Sequence, residues 1–204
     1  MSERRPTADA VEIIAKEAAF RGYFRVDRYR LRHRLFAGGW SGEMTREVFE
    51  RGHAAAVLPY DPKIDAVVLI EQFRIGAFAA GLDPWLIEIV AGIIEEGESP
   101  LEVARREALE EAGCPLGRVE EIGRVLLSPG AVSETLALFC AEVDSAGLGG
   151  IHGLDDENED IRAFVAPLDV ALERLAKGAI ANASTVIALQ WLALNRQRLR
   201  SAWT

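Results

Sequence analysis

Apolar and polar residues alternate in the first quarter of the chain, where aromatic and β-branched side chains are frequent between residues 11 and 36. The stretch GYFRVDRYRLRHRLF, residues 22–36, predicts a strand with one basic face. A turn at residues 37–42 and a second strand at residues 43–50 follow. These elements predict a small antiparallel N-terminal unit, which is too small to be stable alone.

After Gly52 the pattern changes to short apolar runs that alternate with stretches of helical periodicity. The runs predict strands at residues 53–60, 66–74, 85–90, 119–127, 136–143 and 161–166, and the periodic stretches predict helices at residues 99–112, 168–177 and 184–199. Strands flanked by helices are typical of an α/β sandwich. We therefore predict two domains, a β-rich domain at residues 1–51 and an α/β domain at residues 52–204.

The first predicted helix has well-marked ends. Ser99 is suited to the N-cap, Pro100 to the first helical position, and Glu102 completes a capping box three residues after the cap. Gly113 can adopt the left-handed conformation that ends a helix, and Pro115 prevents its continuation.

Carboxylates are concentrated on one face of this helix. Glu107 and Glu111 are four residues apart and therefore one turn apart, Glu110 lies beside them, and Arg106 can reach Glu110. Like charges at this spacing destabilise a bare helix, whereas hard divalent cations such as Mg²⁺ prefer oxygen ligands of this kind. The alternative interpretation is a solvated acidic face.

Composition narrows the possible functions. The 204 residues carry a net charge of −9, and twelve of the 32 acidic residues lie either between residues 92 and 114 or in the run DDENED at residues 155–160. This distribution argues against general affinity for nucleic acids or membranes, which requires a basic patch. No apolar run approaches the length of a membrane span, and the N-terminus has no leader pattern.

The two cysteines, Cys114 and Cys140, are predicted to be buried free thiols, which fits a reducing cytosol and a cytoplasmic location.

The run DDENED has two open interpretations, a solvated loop and a mobile catalytic loop that closes over a substrate. An EF-hand is excluded, because Ile161 occupies the position that requires glycine. The glycine-rich stretch at residues 147–153 misses the dinucleotide-binding spacing by one residue and opens no helix.

Residues 92–114, GIIEEGESPLEVARREALEEAGC, resemble the Nudix box, G-x5-E-x7-R-E-U-x-E-E-x-G-U, in which U is a bulky apolar residue. The matching positions are Gly92, Glu98, Arg106, Glu107, Glu110, Glu111 and Gly113. The two apolar positions hold the small residues Ala108 and Cys114, a departure that concerns packing only.

The resemblance extends to nearly the whole chain from Val11 onward. The stretches FERGHAAAVLPYDP, VVLIEQFRIGAF, EIVAGIIEEGES, SPG..SE, GIHGL.DENEDIR and NAS.VIALQWL look like the bacterial ADP-ribose pyrophosphatases of the Nudix family. That likeness implies a Nudix α/β/α sandwich preceded by a small antiparallel β domain, which serves dimerisation by swapping across a homodimer.

The resemblance also implies roles for individual residues. The Mg²⁺ ligands, with Mn²⁺ a possible substitute, are expected to be Ala91 through its carbonyl, Glu107, Glu111 and Glu159. Glu157 is expected to be the catalytic general base. The expected substrate-binding residues are Tyr23, Phe24, Arg46, Glu47, Arg51, Arg74, Ile93, Ser128, Pro129, Gly130 and Glu134. Of these, Tyr23, Phe24, Arg46 and Glu47 are expected to come from the partner subunit.

Several of these residues have a simpler structural interpretation. Tyr23 and Phe24 can be core residues, and Arg74 can be a surface arginine at a strand end. Glu98 can order the loop before the helix, and Glu110 can bridge to Arg106. Gly130-Ala131-Val132 departs from the GGT of the family at the expected ribose contact.

The activity implied by the resemblance is Mg²⁺-dependent hydrolysis of ADP-ribose to AMP and ribose 5-phosphate. Two alternatives stay open at this point. One is hydrolysis of another nucleoside diphosphate sugar such as GDP-mannose, because the box alone does not separate these substrates. The other is a non-catalytic module that senses ADP-ribose, for which an eroded box is expected.

Overall fold

The computed structural model describes residues 8–154 and 158–204, and the chain divides into two compact units. The first unit contains the described residues up to Gly52 together with Leu126–Glu134. The second contains His53–Val125 and Thr135–Thr204. The role of residues 1–51 as a dimerisation domain stays a prediction.

The first unit is built on a three-stranded antiparallel sheet. After a short 3-10 turn at Ala8–Ala10, its strands are β1 (Val11–Arg21), β2 (Arg25–His33) and β3 (Met44–Glu50), in the order β1-β2-β3. The predicted strand at residues 22–36 is wrong at its start, because a tight turn separates β1 from β2. In that turn the Gly22 N–H donates to the Phe24 carbonyl at 2.8 Å. The segment at residues 126–134 joins this unit through the Phe49 N–H, which donates to the Ala131 carbonyl at 2.8 Å.

The second unit is built on a mixed sheet. Its strands are β4 (Ala54–Asp61), β5 (Ala66–Phe73), β6 (Trp85–Glu88), β7 (Val90–Ile93), β8 (Val119–Leu126), β9 (Thr135–Glu142), β10 (Gly150–His152) and β11 (Ile161–Pro167). The main order is β10-β11-β5-β4-β9-β8, with β6 paired to β5 and β7 to β4. The β4–β9 pair is parallel, whereas β7 runs antiparallel to β4 and places Ala91 opposite Ala56.

Helices cover both faces of this sheet. The unit contains α1 (Ile75–Ala79), α2 (Pro100–Ala112), α3 (Leu168–Ala176) and α4 (Ala183–Trp203), of which α1 has no buried residue. Alternate residues of the buried strand β4 point to opposite faces. Leu58 packs in the cluster that contains Leu189 of α4, and Val57 in the cluster that contains Val103 of α2. The predicted α/β/α sandwich is therefore confirmed.

Three short elements were not predicted. Helix α1 has five residues, no side-chain cap and no buried residue, so it leaves no amphipathic pattern in the sequence. Strands β7 and β10 have four and three residues and include glycines, which weaken strand propensity. Within the described residues, no helix has the length and apolarity needed to cross a membrane.

Both cysteines are free and buried, as predicted. Burial raises the pKa of the Cys114 thiol to about 12, because the thiolate would lose its hydration. Neither thiol is therefore suited to act as a nucleophile at neutral pH.

Candidate active site

Helix α2 begins and ends where the sequence predicts. The Ser99 hydroxyl accepts from the Glu102 N–H at 3.3 Å, and the Glu102 carboxylate accepts from the Ser99 N–H at 2.8 Å. At the other end Gly113 is left-handed, with φ of 58°. These reciprocal contacts satisfy orphan backbone groups and set the angular positions of the carboxylates that follow.

Glu111 is the buried carboxylate at the centre of the site. It is 3% exposed, and its Oε2 accepts from the Ala91 N–H of β7 at 3.1 Å. Burial raises its pKa to about 8, and the negative charges of Glu107 and Glu159 act in the same direction. One backbone donor does not offset the desolvation, so Glu111 holds a proton at neutral pH in the absence of a cation.

Glu107 lies one turn earlier on the same face of α2. Burial raises the pKa of its carboxyl group, and the neighbouring Arg106, at 2.9 Å, acts in the opposite direction. The backbone of Gly92 passes directly beside this carboxylate. A Cβ added at Gly92 would lie 1.7 Å from Glu107 Oε1, so the glycine leaves the space that this rotamer of Glu107 occupies.

Arg106 connects the remaining carboxylates of the box. Its guanidinium binds Glu98 at 3.0 Å and Glu110 at 3.0 Å, in addition to Glu107. Glu98 also accepts from the Glu95 N–H at 3.1 Å and therefore orders the loop before α2. Arg106 partly neutralises the acidic face, and its bonds to these carboxylates raise the pKa of its guanidinium above the usual range.

Glu159 reaches the same region from the segment before β11. Its Oε2 accepts from the Leu154 N–H at 3.3 Å, and its charge raises the pKa of both Glu107 and Glu111. Gly153 has φ of 105°, and a Cβ there would lie 2.7 Å from the Glu159 Cβ. Glu157, the predicted general base, lies outside the described residues.

The donors available for a cation are the oxygens of Glu107, Glu111 and Glu159 together with the Ala91 carbonyl. Within residues 8–154 and 158–204, no three acidic, histidine or cysteine side chains are already arranged to hold a metal ion. Each of the three carboxylates has a hydrogen-bond partner in this structure: Arg106 for Glu107, the Ala91 N–H for Glu111 and the Leu154 N–H for Glu159. A mutually repelling set of oxygen donors, of which Glu111 is buried, fits a hard divalent cation, which would restore the ionised carboxylates.

Arg74 and Ile93 also belong to the second unit. Arg74 follows β5, its side chain is 42% exposed, and its positive charge lowers the pKa of Glu111 against the larger effect of burial. It binds the buried carboxylate of Glu88 at 2.7 Å. Ile93 is exposed at the end of β7, one residue after Gly92.

The other predicted substrate-binding residues lie in the first unit. Tyr23 is 91% exposed and so is not a core residue, and its ring meets the Phe24 ring edge-on at 4.8 Å. The Arg51 guanidinium lies 5.8 Å from the Phe24 ring and 3.5 Å from the Glu134 carboxylate. This part of the unit therefore combines exposed aromatic surface with a half-buried cation.

The segment containing Ser128, Pro129 and Gly130 is an exposed turn. The Ser128 carbonyl accepts from the Val132 N–H at 2.9 Å, which holds the turn together. On β3, Arg46 binds the Thr45 carbonyl through its own side chain, and Glu47 pairs with Arg28 at 2.9 Å. The substrate roles of these residues stay predictions.

Two polar residues of the second unit were missed, the buried Glu88 and the half-buried Asn182. The Asn182 amide donates to Glu88 at 2.8 Å. Both lie in stretches that resemble the family, but 94 positions separate them, so the sequence alone does not show that they interact.

A comparison of the sequence with known protein families agrees with the paired carboxylates on helix α2. Residues 50–188, more than half of the chain, match the NUDIX domain family. The chain therefore belongs to the Nudix family, whose box contains the paired carboxylates described above.

Individual members of the Nudix family show which of its enzymes this chain resembles. The chain is 54% identical over 193 residues to the ADP-ribose pyrophosphatase of Escherichia coli K12, covering 95% of this chain and 92% of the relative. It is 45% identical over 196 residues to the ADP-ribose pyrophosphatase of Haemophilus influenzae, covering 95% and 90%. The GDP-mannose pyrophosphatase of Cronobacter sakazakii is 41% identical over 150 residues, covering 73% and 78%.

The fold is also similar to that of a solved structure, the crystal structure of an ADP compounds hydrolase. The TM-score is 0.71 at 22% sequence identity, covering 97% of this chain and 98% of the other. At this identity the likeness concerns the fold alone.

Proposed function

We propose that this protein hydrolyses the pyrophosphate bond of ADP-ribose to give AMP and ribose 5-phosphate. The observation that carries the proposal is the 54% identity to an ADP-ribose pyrophosphatase, which extends over 95% of the chain and so includes the N-terminal strands. The complete set of box carboxylates supports a hydrolase over a sensing module, for which their loss is expected.

Glu107, Glu111, Glu159 and the Ala91 carbonyl would hold the divalent cation, Mg²⁺ or Mn²⁺, that the reaction needs. A bound cation would supply charge neutralisation of the pyrophosphate and polarisation of its oxygens. Arg51 and Arg74 add positive charge for the phosphate oxygens and orient them. Glu157 accepts a proton from the attacking water. The water oxygen then bonds to phosphorus, and the bond between that phosphorus and the bridging oxygen of the pyrophosphate breaks.

A homodimer with swapped N-terminal domains is part of the proposal, with Tyr23, Phe24, Arg46 and Glu47 contributed by the partner. Exposed apolar side chains on the first unit support it, because Val11, Ile13 and Phe20 are each about half exposed or more. A cytoplasmic location is proposed from the two buried free thiols.

A substrate panel tests the choice of sugar nucleotide. We expect kcat/KM for ADP-ribose to exceed that for GDP-mannose by about tenfold or more, because the GDP-mannose pyrophosphatases match only about three quarters of the chain. Equal or faster hydrolysis of GDP-mannose would transfer the assignment to that substrate. Failure to hydrolyse either compound with Mg²⁺ or Mn²⁺ would favour the sensing module.

Gly92→Ala tests the close approach of β7 to Glu107. The added Cβ would overlap the Glu107 carboxylate and displace it, so we expect Mg²⁺ affinity to fall roughly 10- to 100-fold, as when the support of a ligand is lost. The displaced atoms are the end of a flexible side chain, so urea unfolding in EDTA should change little. Gly42→Ala is the matched control, because a Cβ there meets no atom within 4 Å. Unchanged Mg²⁺ affinity in titration calorimetry of Gly92→Ala would contradict the assignment of Glu107.

A further inference from the structure

The guanidinium of Arg74 is anchored by one buried carboxylate. Its Nε and Nη2 both donate to Glu88 Oε2, at 2.9 and 2.7 Å. Glu88 is 2% exposed, whereas the Arg74 side chain is 42% exposed. The Nε and Nη2 side of the Arg74 guanidinium is therefore fixed. The rest of the guanidinium makes no further hydrogen bond with the residues that the structure describes.

The second oxygen of Glu88 is held from helix α4. Asn182 Nδ2 donates to Glu88 Oε1 at 2.8 Å. The orientation of this amide is determined by its other partner, because Asn182 Oδ1 accepts from the Thr185 N–H, which can only donate. The residue that caps the N-terminus of α4 therefore also fixes the carboxylate that holds Arg74.

A second contact joins α4 to the same strand edge. The Thr185 hydroxyl accepts from the Ile89 N–H at 2.9 Å, directly after Glu88. Gln72 adds a donor to Glu88 at 3.4 Å. A buried carboxylate is costly unless its oxygens are occupied, and these contacts occupy both of them. The contact from the N-cap of α4 therefore helps to fix the rotamer of Glu88, and with it the position of Arg74.

Arg74 lies close to the carboxylate site along the chain, because its partner Glu88 is three residues before Ala91, whose carbonyl is one of the proposed cation donors. We propose that Asn182, through Glu88, is a positioning residue that aims the Arg74 guanidinium at the phosphate oxygens of the substrate. This inference rests on the proposed function. The phosphate oxygens that Arg74 contacts are negatively charged both before and during bond cleavage. Displacement of Arg74 should therefore weaken substrate binding more than it slows the chemical step.

Asn182→Ser separates the two roles of this residue. Serine is as good an N-cap as asparagine, so α4 keeps its cap, but the shorter side chain no longer reaches Glu88. We expect the KM for ADP-ribose to rise about threefold to tenfold with kcat within about twofold, the pattern of lost uniform binding. Asn195→Ser, the same change at a half-buried position further along α4, should leave both parameters unchanged, because Asn195 contacts Trp191 and Arg198 and makes no bond to Glu88.

The same substitution in an Arg74→Ala background decides between positioning and a general loosening of the helix. If Asn182 acts through Arg74, Asn182→Ser should add no further rise in KM once Arg74 is absent. An equal rise in both backgrounds, a fall in kcat alone, or an unchanged KM in the single variant would each overturn the inference. Absence of ADP-ribose hydrolysis by the wild-type protein would instead refute the proposed function, so the two failures are distinguishable.

Discussion

Glu111→Gln should lose on the order of 10³-fold in turnover, the scale of a lost cation ligand worth several kcal/mol in the transition state. The same substitution should stabilise the metal-free protein at pH 8. Both effects follow from one property of Glu111, its burial beside Glu107 and Glu159 with a single backbone donor from Ala91. Glutamine keeps the shape of the side chain and an oxygen for the Ala91 N–H, but it cannot ionise.

The sign of the stability effect follows from the pKa of Glu111. That pKa is raised from 4.5 to about 8 in the folded protein, so the folded state keeps a proton that the unfolded state releases between these values. The contribution of Glu111 to the stability of the metal-free wild type is thus fully present below pH 4.5 and is lost as the pH rises toward 8. The loss amounts to about 2 to 5 kcal/mol at pH 8, and Glu111→Gln removes it.

Urea unfolding in EDTA at pH 5 and pH 8 measures this effect. The variant should exceed the wild type in stability at pH 8 and match it near pH 5. Glu121→Gln, the same change at an exposed position on β8, should alter neither value. Addition of Mg²⁺ should stabilise the wild type and not the Glu111 variant, since only a cation bound to the folded state shifts the equilibrium. Equal stabilisation of both proteins by Mg²⁺ would remove Glu111 from the cation site.

Glu157→Gln should lower kcat by about 10²- to 10⁴-fold, the usual contribution of a general base, with KM and the Mg²⁺ requirement nearly unchanged. Glutamine has the same shape as glutamate and cannot accept the proton of the attacking water. The assignment of Glu157 comes from the resemblance of the DENED stretch to the family, because the residue lies outside the described part of the chain.

Glu159→Gln is the matched comparison, two positions away in the same run. The charge of Glu159 reaches Glu107 and Glu111, so its loss should raise the Mg²⁺ concentration needed for half-maximal turnover. The two variants should therefore differ in kind, one in kcat and the other in metal dependence. Near wild-type kcat in Glu157→Gln would exclude Glu157 as the base.

Local signals explain why helix α2 was predicted correctly. Ser99, Glu102 and Gly113 cap the helix through contacts within a few residues, and such contacts can be read from spacing alone. The turn after Arg21 was missed because Gly22 is its only local signal within an alternating stretch.

The remaining features of the site depend on tertiary contacts. Gly92 was identified by the box, but its physical role, the approach of Glu107 to the backbone of β7, required the structure. The link from Asn182 to Glu88 joins residues 94 positions apart, so no local pattern predicts it. The raised pKa of Glu111 depends on burial between α2 and β7, which helical spacing does not show.

Product analysis after incubation with ADP-ribose tests the central claim most directly. With Mg²⁺ present, we predict AMP and ribose 5-phosphate in equal amounts and neither product in EDTA. An intact substrate, or products of cleavage at another bond such as ADP and ribose, would contradict the assignment of this protein as an ADP-ribose pyrophosphatase.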